Sequence, residues 1–236
     1  MKYRDLDIIY EDNHLLVVNK PCGILVHGDK TKDRALTDVV EDYIRYTYNK
    51  PGNVFVGLTH RLDRPVSGAT VFAKTSKALT RINQSFQKKQ IKKTYLAISR
   101  SQPEEFEGRL EHYLVKDNEK NRVKLSEKKK KGGKLAVLEY KLIASINGFT
   151  LLKVHPLTGR SHQIRAQLSR MGCIIIGDRK YGNHTKALED ISIGLHCFQM
   201  ELEHPTLKKQ VIFTAKLPKV PHWDFFSHLN LNSLCK

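Results

Sequence analysis

Short runs of β-branched and apolar residues, cut at close intervals by proline, glycine and asparagine, limit what this chain can fold into. Leu6-Asp7-Ile8-Ile9-Tyr10 and Leu15-Leu16-Val17-Val18-Asn19 flank the polar tetrad Glu11-Asp12-Asn13-His14, a pattern that predicts a β-hairpin. Comparable runs follow at 54–58, 69–73, 94–98, 135–143, 150–154, 173–176, 195–202 and 211–215, and Asn147-Gly148 supplies a tight turn between two of them. The stretch 103–133 has weaker periodicity and reads as irregular strands joined by turns, one of them at 117–121. Helical spacing is rarer. Leu36, Val39, Val40, Tyr43 and Ile44 share one helix face, closed by Lys50-Pro51-Gly52. Thr75 or Ser76 can cap a second helix carrying Leu79, Ile82 and Phe86. Ile164, Leu168 and Met171 mark a third over 161–171, with Gly172 just past its end, and the tail 223–234 suits a short docked helix. Strands outnumber helices and many are joined by hairpin-length loops, so the expected class is α+β with a mostly antiparallel sheet.

The 236 residues suit one domain or two small ones, and 40% hydrophobic residues supply a core. There are 41 Lys and Arg against 24 Asp and Glu, a formal charge of +17 that points to a polyanionic partner. No apolar stretch approaches a membrane span and no signal-like block follows the N-terminus, so nucleic acid is favoured over an anionic membrane, in the cytoplasm. Cys22, Cys173, Cys197 and Cys235 are scattered, which fits a reducing compartment. The 11 histidines form no helical metal-ligand pattern, and no metal is expected.

Two stretches carry side chains that could do chemistry. His60-Arg61-Leu62-Asp63-Arg64-Pro65-Val66-Ser67-Gly68 sets one aspartate between two arginines on a loop that joins two predicted strands. The same residues also fit a polar turn whose charges face water. Thr158-Gly159-Arg160-Ser161-His162-Gln163-Ile164-Arg165 opens the third predicted helix, where backbone N–H groups favour anions and arginines bind phosphate or carboxylate bidentately. An ordinary capped helix with exposed arginines fits it as well. The densest basic run, Lys128-Lys129-Lys130-Lys131-Gly132-Gly133-Lys134, reads either as a solvated hairpin end or as an arm that grips phosphates.

Taken in order, these motifs resemble those of the RluA-type RNA pseudouridine synthases. The match runs through Asn19-Lys20-Pro21 with Gly23, His60-Arg61-Leu62-Asp63 with Ser67-Gly68, Lys93-Thr94-Tyr95-Leu96-Ala97, the 158–165 stretch, Gly177-Asp178 with Tyr181-Gly182, Leu195-His196 and His204-Pro205. One H-R-L-D would be weak; several matches in the right order are specific. The resemblance implies a bent, mostly antiparallel central sheet flanked by helices and loops, and a single catalytic domain over 1–236 without an N-terminal S4 domain. It implies an enzyme that detaches uracil from its ribose within ribosomal or transfer RNA, rotates it and rejoins it through C5, without metal or organic cofactor. Asp63 would be the covalent catalyst, Arg165 its charge partner, and Tyr95 the ring-facing base for the C5 proton. Arg61 would enter the space left by the flipped nucleotide. His60, Arg64, Arg160, His162, Gln163, Lys129 and Lys130 are the further residues expected to hold RNA, a stem-loop of ribosomal or transfer RNA. No protein partner is implied, and a monomer is expected. Val66 stands where the family usually has threonine.

Overall fold

A computed structural model describes residues 1–117, 119–182 and 192–235. Asn118, within the turn expected at 117–121, lies outside the described residues. The elements, in chain order, are β1 (Ile8–Glu11), β2 (Leu15–Lys20), α1 (Leu36–Thr47), β3 (Gly57–Leu58), β4 (Ser67–Ala73), α2 (Ser76–Gln87), β5 (Lys92–Ser99), β6 (Glu107–Asp117), β7 (Arg122–Ser126) and β8 (Lys134–Ile146). They continue with β9 (Phe149–Pro156), α3 (Gln163–Arg170), β10 (Leu195–Glu203), β11 (Gln210–Thr214), α4 (Pro221–Asp224) and α5 (Leu231–Leu234). The class is α+β, as expected from the strand-rich pattern. The chain forms two compact units, Met1–Lys92 with Cys197–Lys216, and Lys93–His196 with Leu217–Lys236.

In the first unit β2 lies between β1 and β4 and pairs antiparallel with both. β4 neighbours β10, β11 pairs antiparallel with β10, and the two-residue β3 pairs with β4. Every residue of β4 is buried, and so is the run Leu15-Leu16-Val17-Val18 of β2. Two faces covered by protein explain why these strands read as continuous apolar runs. Helix α1 buries Leu36, Val39, Val40 and Ile44, the stripe marked by its spacing. Thr75 caps α2, its hydroxyl accepting from the Ala78 N–H at 3.2 Å. Gly68, at φ +118°, has no room for a side chain, since a Cβ there would lie 2.3 Å from the Cys197 carbonyl oxygen. His204 is buried. Its Nδ1 accepts from the Thr206 and Leu207 N–H groups, and its Nε2 stands 2.9 Å from Asp12 Oδ2.

In the second unit the strand order is β5-β9-β8-β6-β7, antiparallel throughout. Asn147 and Gly148 take φ of 51° and 73° between β8 and β9, the left-handed pair that a two-residue hairpin requires. The 103–133 stretch, expected as irregular strands joined by turns, holds the strands β6 and β7, in which outward charge mostly alternates with inward packing. Two expectations are corrected. Residues 173–176 form an isolated bridge, Ser99 to Ile175, where a buried strand was expected. The tail is two four-residue helices, α4 and α5, around the buried Trp223 and Phe226, where one helix was expected.

Candidate active site

In the first unit the loop between β3 and β4 carries Asp63, which is half-buried between exposed Arg61 and Arg64. Packing holds the loop from below, through buried Leu62 and Val66. The Val66 N–H donates to the Asp63 carbonyl at 3.0 Å and closes a turn at Arg64-Pro65. Arg64 is engaged within the fold: its Nε donates to the Gly23 carbonyl at 2.9 Å, and it pairs with Asp33 at 2.7 Å. His60 accepts from the Val71 N–H through Nε2 at 3.1 Å, which puts the proton of the neutral ring on Nδ1, and it packs on Phe86.

Lys20, at the end of β2, is 0% exposed and was given no role by the sequence reading. Its Nζ donates to the carbonyls of Val66 at 2.7 Å, Pro21 at 3.0 Å and Arg64 at 3.1 Å. All three hydrogens of the ammonium are therefore spent on backbone oxygens, two of which belong to residues that closely follow Asp63. Burial pushes the Lys20 ammonium down to about 7, while negative charge at Cys22 and Asp63 draws it back and Arg64 adds to the depression. The signals for it were a lysine ending an apolar run directly before proline and its place in the Asn19-Lys20-Pro21 motif.

The second unit assembles the other stretch. Tyr95 lies on β5 opposite Val154 of β9 and is 9% exposed. Arg165 on α3 is 4% exposed and forks onto Asp178, with Nε to Oδ2 at 2.8 Å and an Nη to Oδ1 at 2.7 Å. Burial raises the Asp178 carboxyl, but Arg165 and the N–H groups of Lys180 and Tyr181 outweigh it and hold the group below its ordinary value. In the sequence Asp178 stands out only through the Gly177-Asp178 motif, which carries no role for it. An aspartate directly after Ile174-Ile175-Ile176-Gly177 is the signal that could have marked it as buried.

The start of α3 is built by side chains, not by a solvent-facing anion cradle. His162 sits in the left-handed region at φ 54°, with Nδ1 2.8 Å from the Tyr181 hydroxyl. That hydroxyl also accepts from the Val123 N–H at 2.8 Å, which ties the start of α3 to β7. Gln163 is buried: its Oε1 accepts from Thr158 Oγ1 and the Arg160 N–H, and its Nε2 donates to the Val137 carbonyl. Arg160 is exposed, with Nε donating to the Leu135 carbonyl at 3.0 Å. Lys129 and Lys130 are exposed at the tip between β7 and β8. Among the expected RNA-holding residues, Arg61, Arg160, Lys129 and Lys130 thus present charge to solvent, whereas Gln163 is consumed in holding the 158–160 loop.

The first unit thus carries a half-buried carboxylate on a loop, and the second a nearly buried tyrosine on a strand and a buried, carboxylate-paired arginine; among the described residues no group of three or more His, Cys, Asp or Glu is placed to hold a metal. The chain belongs to the RNA pseudouridylate synthase family, whose model matches residues 14–170 and so includes Asp63, Tyr95 and Arg165. RNA pseudouridine synthases are isomerases. The chain is 34% identical over 218 residues to ribosomal large subunit pseudouridine synthase D of Borreliella burgdorferi, covering 90% of this chain and 65% of that protein's length. It is 32% identical over 212 residues to ribosomal large subunit pseudouridine synthase C of Rickettsia bellii, covering 89% and 68%. Among solved structures it is similar to human RNA pseudouridylate synthase domain containing 4, with a TM-score of 0.75 and 26% identity over 90% of this chain and 89% of that one. No helix of the described residues is long and apolar enough to cross a membrane.

Proposed function

We propose that this chain converts specific uridines of structured ribosomal or transfer RNA to pseudouridine, with Asp63 as the covalent catalyst. The observation that carries the reading is the seating of Asp63. Its loop is fixed by a buried ammonium at two carbonyls that closely follow Asp63, those of Arg64 and Val66, and its backbone is closed by a turn, so the carboxylate reacts from a preorganised position. The reaction breaks the bond from the ribose C1′ to N1 and forms one to C5; a proton leaves C5 and N1 gains one. The product is an isomer, so the chemistry consumes no redox partner. Tyr95 faces the ring and takes the C5 proton, Arg165 supports the ionised Asp63, and Arg61 fills the stack vacated by the flipped nucleotide. His60, Arg64, Arg160, His162 and Gln163 shape or line the RNA path, and Lys129 and Lys130 attract the backbone. Two of the relatives bear names of ribosomal large subunit enzymes, which favours ribosomal RNA as the first substrate to test.

The decisive variant is Asp63→Asn, which keeps the shape of the loop and removes the nucleophile. It should fold with an unchanged thermal midpoint, bind RNA and produce no pseudouridine. A variant that keeps full activity would overturn the role of Asp63. Mapping pseudouridine in RNA from cells lacking the gene, with and without its restoration, identifies the uridine.

A further inference from the structure

The second unit contains a groove of about 750 Å³ that none of the three proposed catalytic residues lines. Its floor is apolar, from Val123 and Leu125 of β7, which pack toward α3 around Leu114 and Ala166. Its rim carries Lys124, Lys128, Lys130 and Arg170 against one carboxylate, Glu127. β7 ends the strand order of its unit, and the edge is partly blunted: the Val123 N–H is taken by the Tyr181 hydroxyl.

Two features separate this groove from an ordinary solvated charged surface. First, its cations are loosely held. Lys124 reaches Asp117 at 3.6 Å and Arg170 reaches Glu127 at 3.6 Å, both longer than a charge-assisted hydrogen bond, and both cations are mostly exposed. A phosphate oxygen can displace either carboxylate without leaving a buried charge unpaired. Second, the wall presents a neutral donor. His112 Nδ1 lies 3.1 Å from Gln167 Nε2, whose amide hydrogens also point at the Leu110 and Ala136 carbonyls. With Gln167 donating, the His112 proton is on Nε2. Burial and the Arg170 charge hold the ring below its ordinary value, against the pull of Glu127, so it stays neutral near pH 7. Cations at the rim, a neutral N–H donor at the wall and an apolar floor match the alternating phosphate, hydroxyl and sugar faces of a ribonucleotide backbone.

We propose that this groove is an RNA-backbone site in its own right, in which Lys124 and Arg170 take phosphates and His112 takes a sugar or phosphate oxygen. The proposal rests on the RNA-modifying reading above for the identity of its partner.

The test uses the full chain and a short fluorescein-labelled RNA hairpin with uridines in its loop, followed by anisotropy between about 0.05 and 0.2 M salt. The Lys124→Ala/Arg170→Ala variant should raise Kd about tenfold and reduce the slope of log Kd against log salt by about two. Glu127→Gln should tighten binding, because it removes the competing carboxylate. The control Lys50→Ala/Lys77→Ala, which removes two exposed cations of the first unit, should change Kd less than twofold. An unchanged Kd and slope in the groove variant overturns the proposal. So does an equal loss in the control, because net charge alone would then account for binding. Pseudouridine formation is measured alongside on cellular RNA: its absence from the unaltered chain sinks the proposed activity and leaves the binding comparison intact, whereas failure of the unaltered chain to bind the hairpin sinks both.

Discussion

Lys20 carries a charge where its side chain meets no water, and the backbone repays the cost with three carbonyls. Its ammonium titrates at about 7 in the folded chain and near 10.5 when unfolded. Below about pH 7 both states are protonated and the penalty of burying the charge is present in full. Between about 7 and 10.5 the unfolded chain binds the extra proton, so Lys20 contributes stability that rises with pH. Urea midpoints measured at pH 7 and pH 9 should therefore shift upward less in Lys20→Met than in the unaltered chain; an identical shift would show that Lys20 is not the titrating group. Neutralisation also removes one N–H donor from the carbonyls beside Asp63, so the proposed isomerisation should weaken over the same interval. Asp63 itself was legible as a singular residue, because an aspartate between two arginines in a loop between strands is visible locally. Lys20 was not, because its role depends on carbonyls 44 and 46 positions away in the chain.

At the scale of elements, α3 is positioned by its buried ion pair as much as by its apolar stripe. Its eight residues start two positions later than the 161–171 pattern suggests, because His162 takes a left-handed conformation and Gln163 turns its side chain back to the 158–160 loop. The Arg165–Asp178 fork then ties the helix to the turn at 177–182, where Lys180 and Tyr181 N–H groups complete the carboxylate. Asp178→Asn keeps the shape but leaves the guanidinium buried against a neutral amide, a loss of about 3 kcal/mol in chemical denaturation at pH 7. The folded-state carboxyl titrates below its unfolded value of 3.8, so the pair's contribution is present above that pH and disappears as pH falls through the folded value. Acid unfolding should consequently be shallower in the Asn variant. Other elements were readable for local reasons: the Thr75 cap, the Asn147-Gly148 turn and the stripe of α1 each depend on neighbours within a few positions. The β6–β7 pair was legible only as irregular strands because its apolar positions are diluted by Glu107, Arg109 and Glu111, leaving periodicity without a strong hydrophobic signal.

For the whole molecule, an excess of 41 basic over 24 acidic residues makes association with RNA a counterion-release process. If binding engages about six phosphates, affinity for a structured RNA should fall roughly a thousandfold between about 0.05 and 0.2 M salt. A flat response in a filter-binding titration would contradict the electrostatic account. Class, strand-rich composition, polyanion preference and the ordered motifs of a pseudouridine synthase were determined by the sequence alone, because each follows from local spacing, summed charge or the succession of short motifs. Tertiary structure decided which charges are buried and what neutralises them. It put Lys20 under the Asp63 loop, turned Arg165 onto Asp178, spent Gln163 on the backbone, and grouped Lys124 with Arg170 around one groove. The physical reason is that a charge's environment is set by desolvation and by partners brought together from distant parts of the chain, and neither is a property of the residues beside it in sequence.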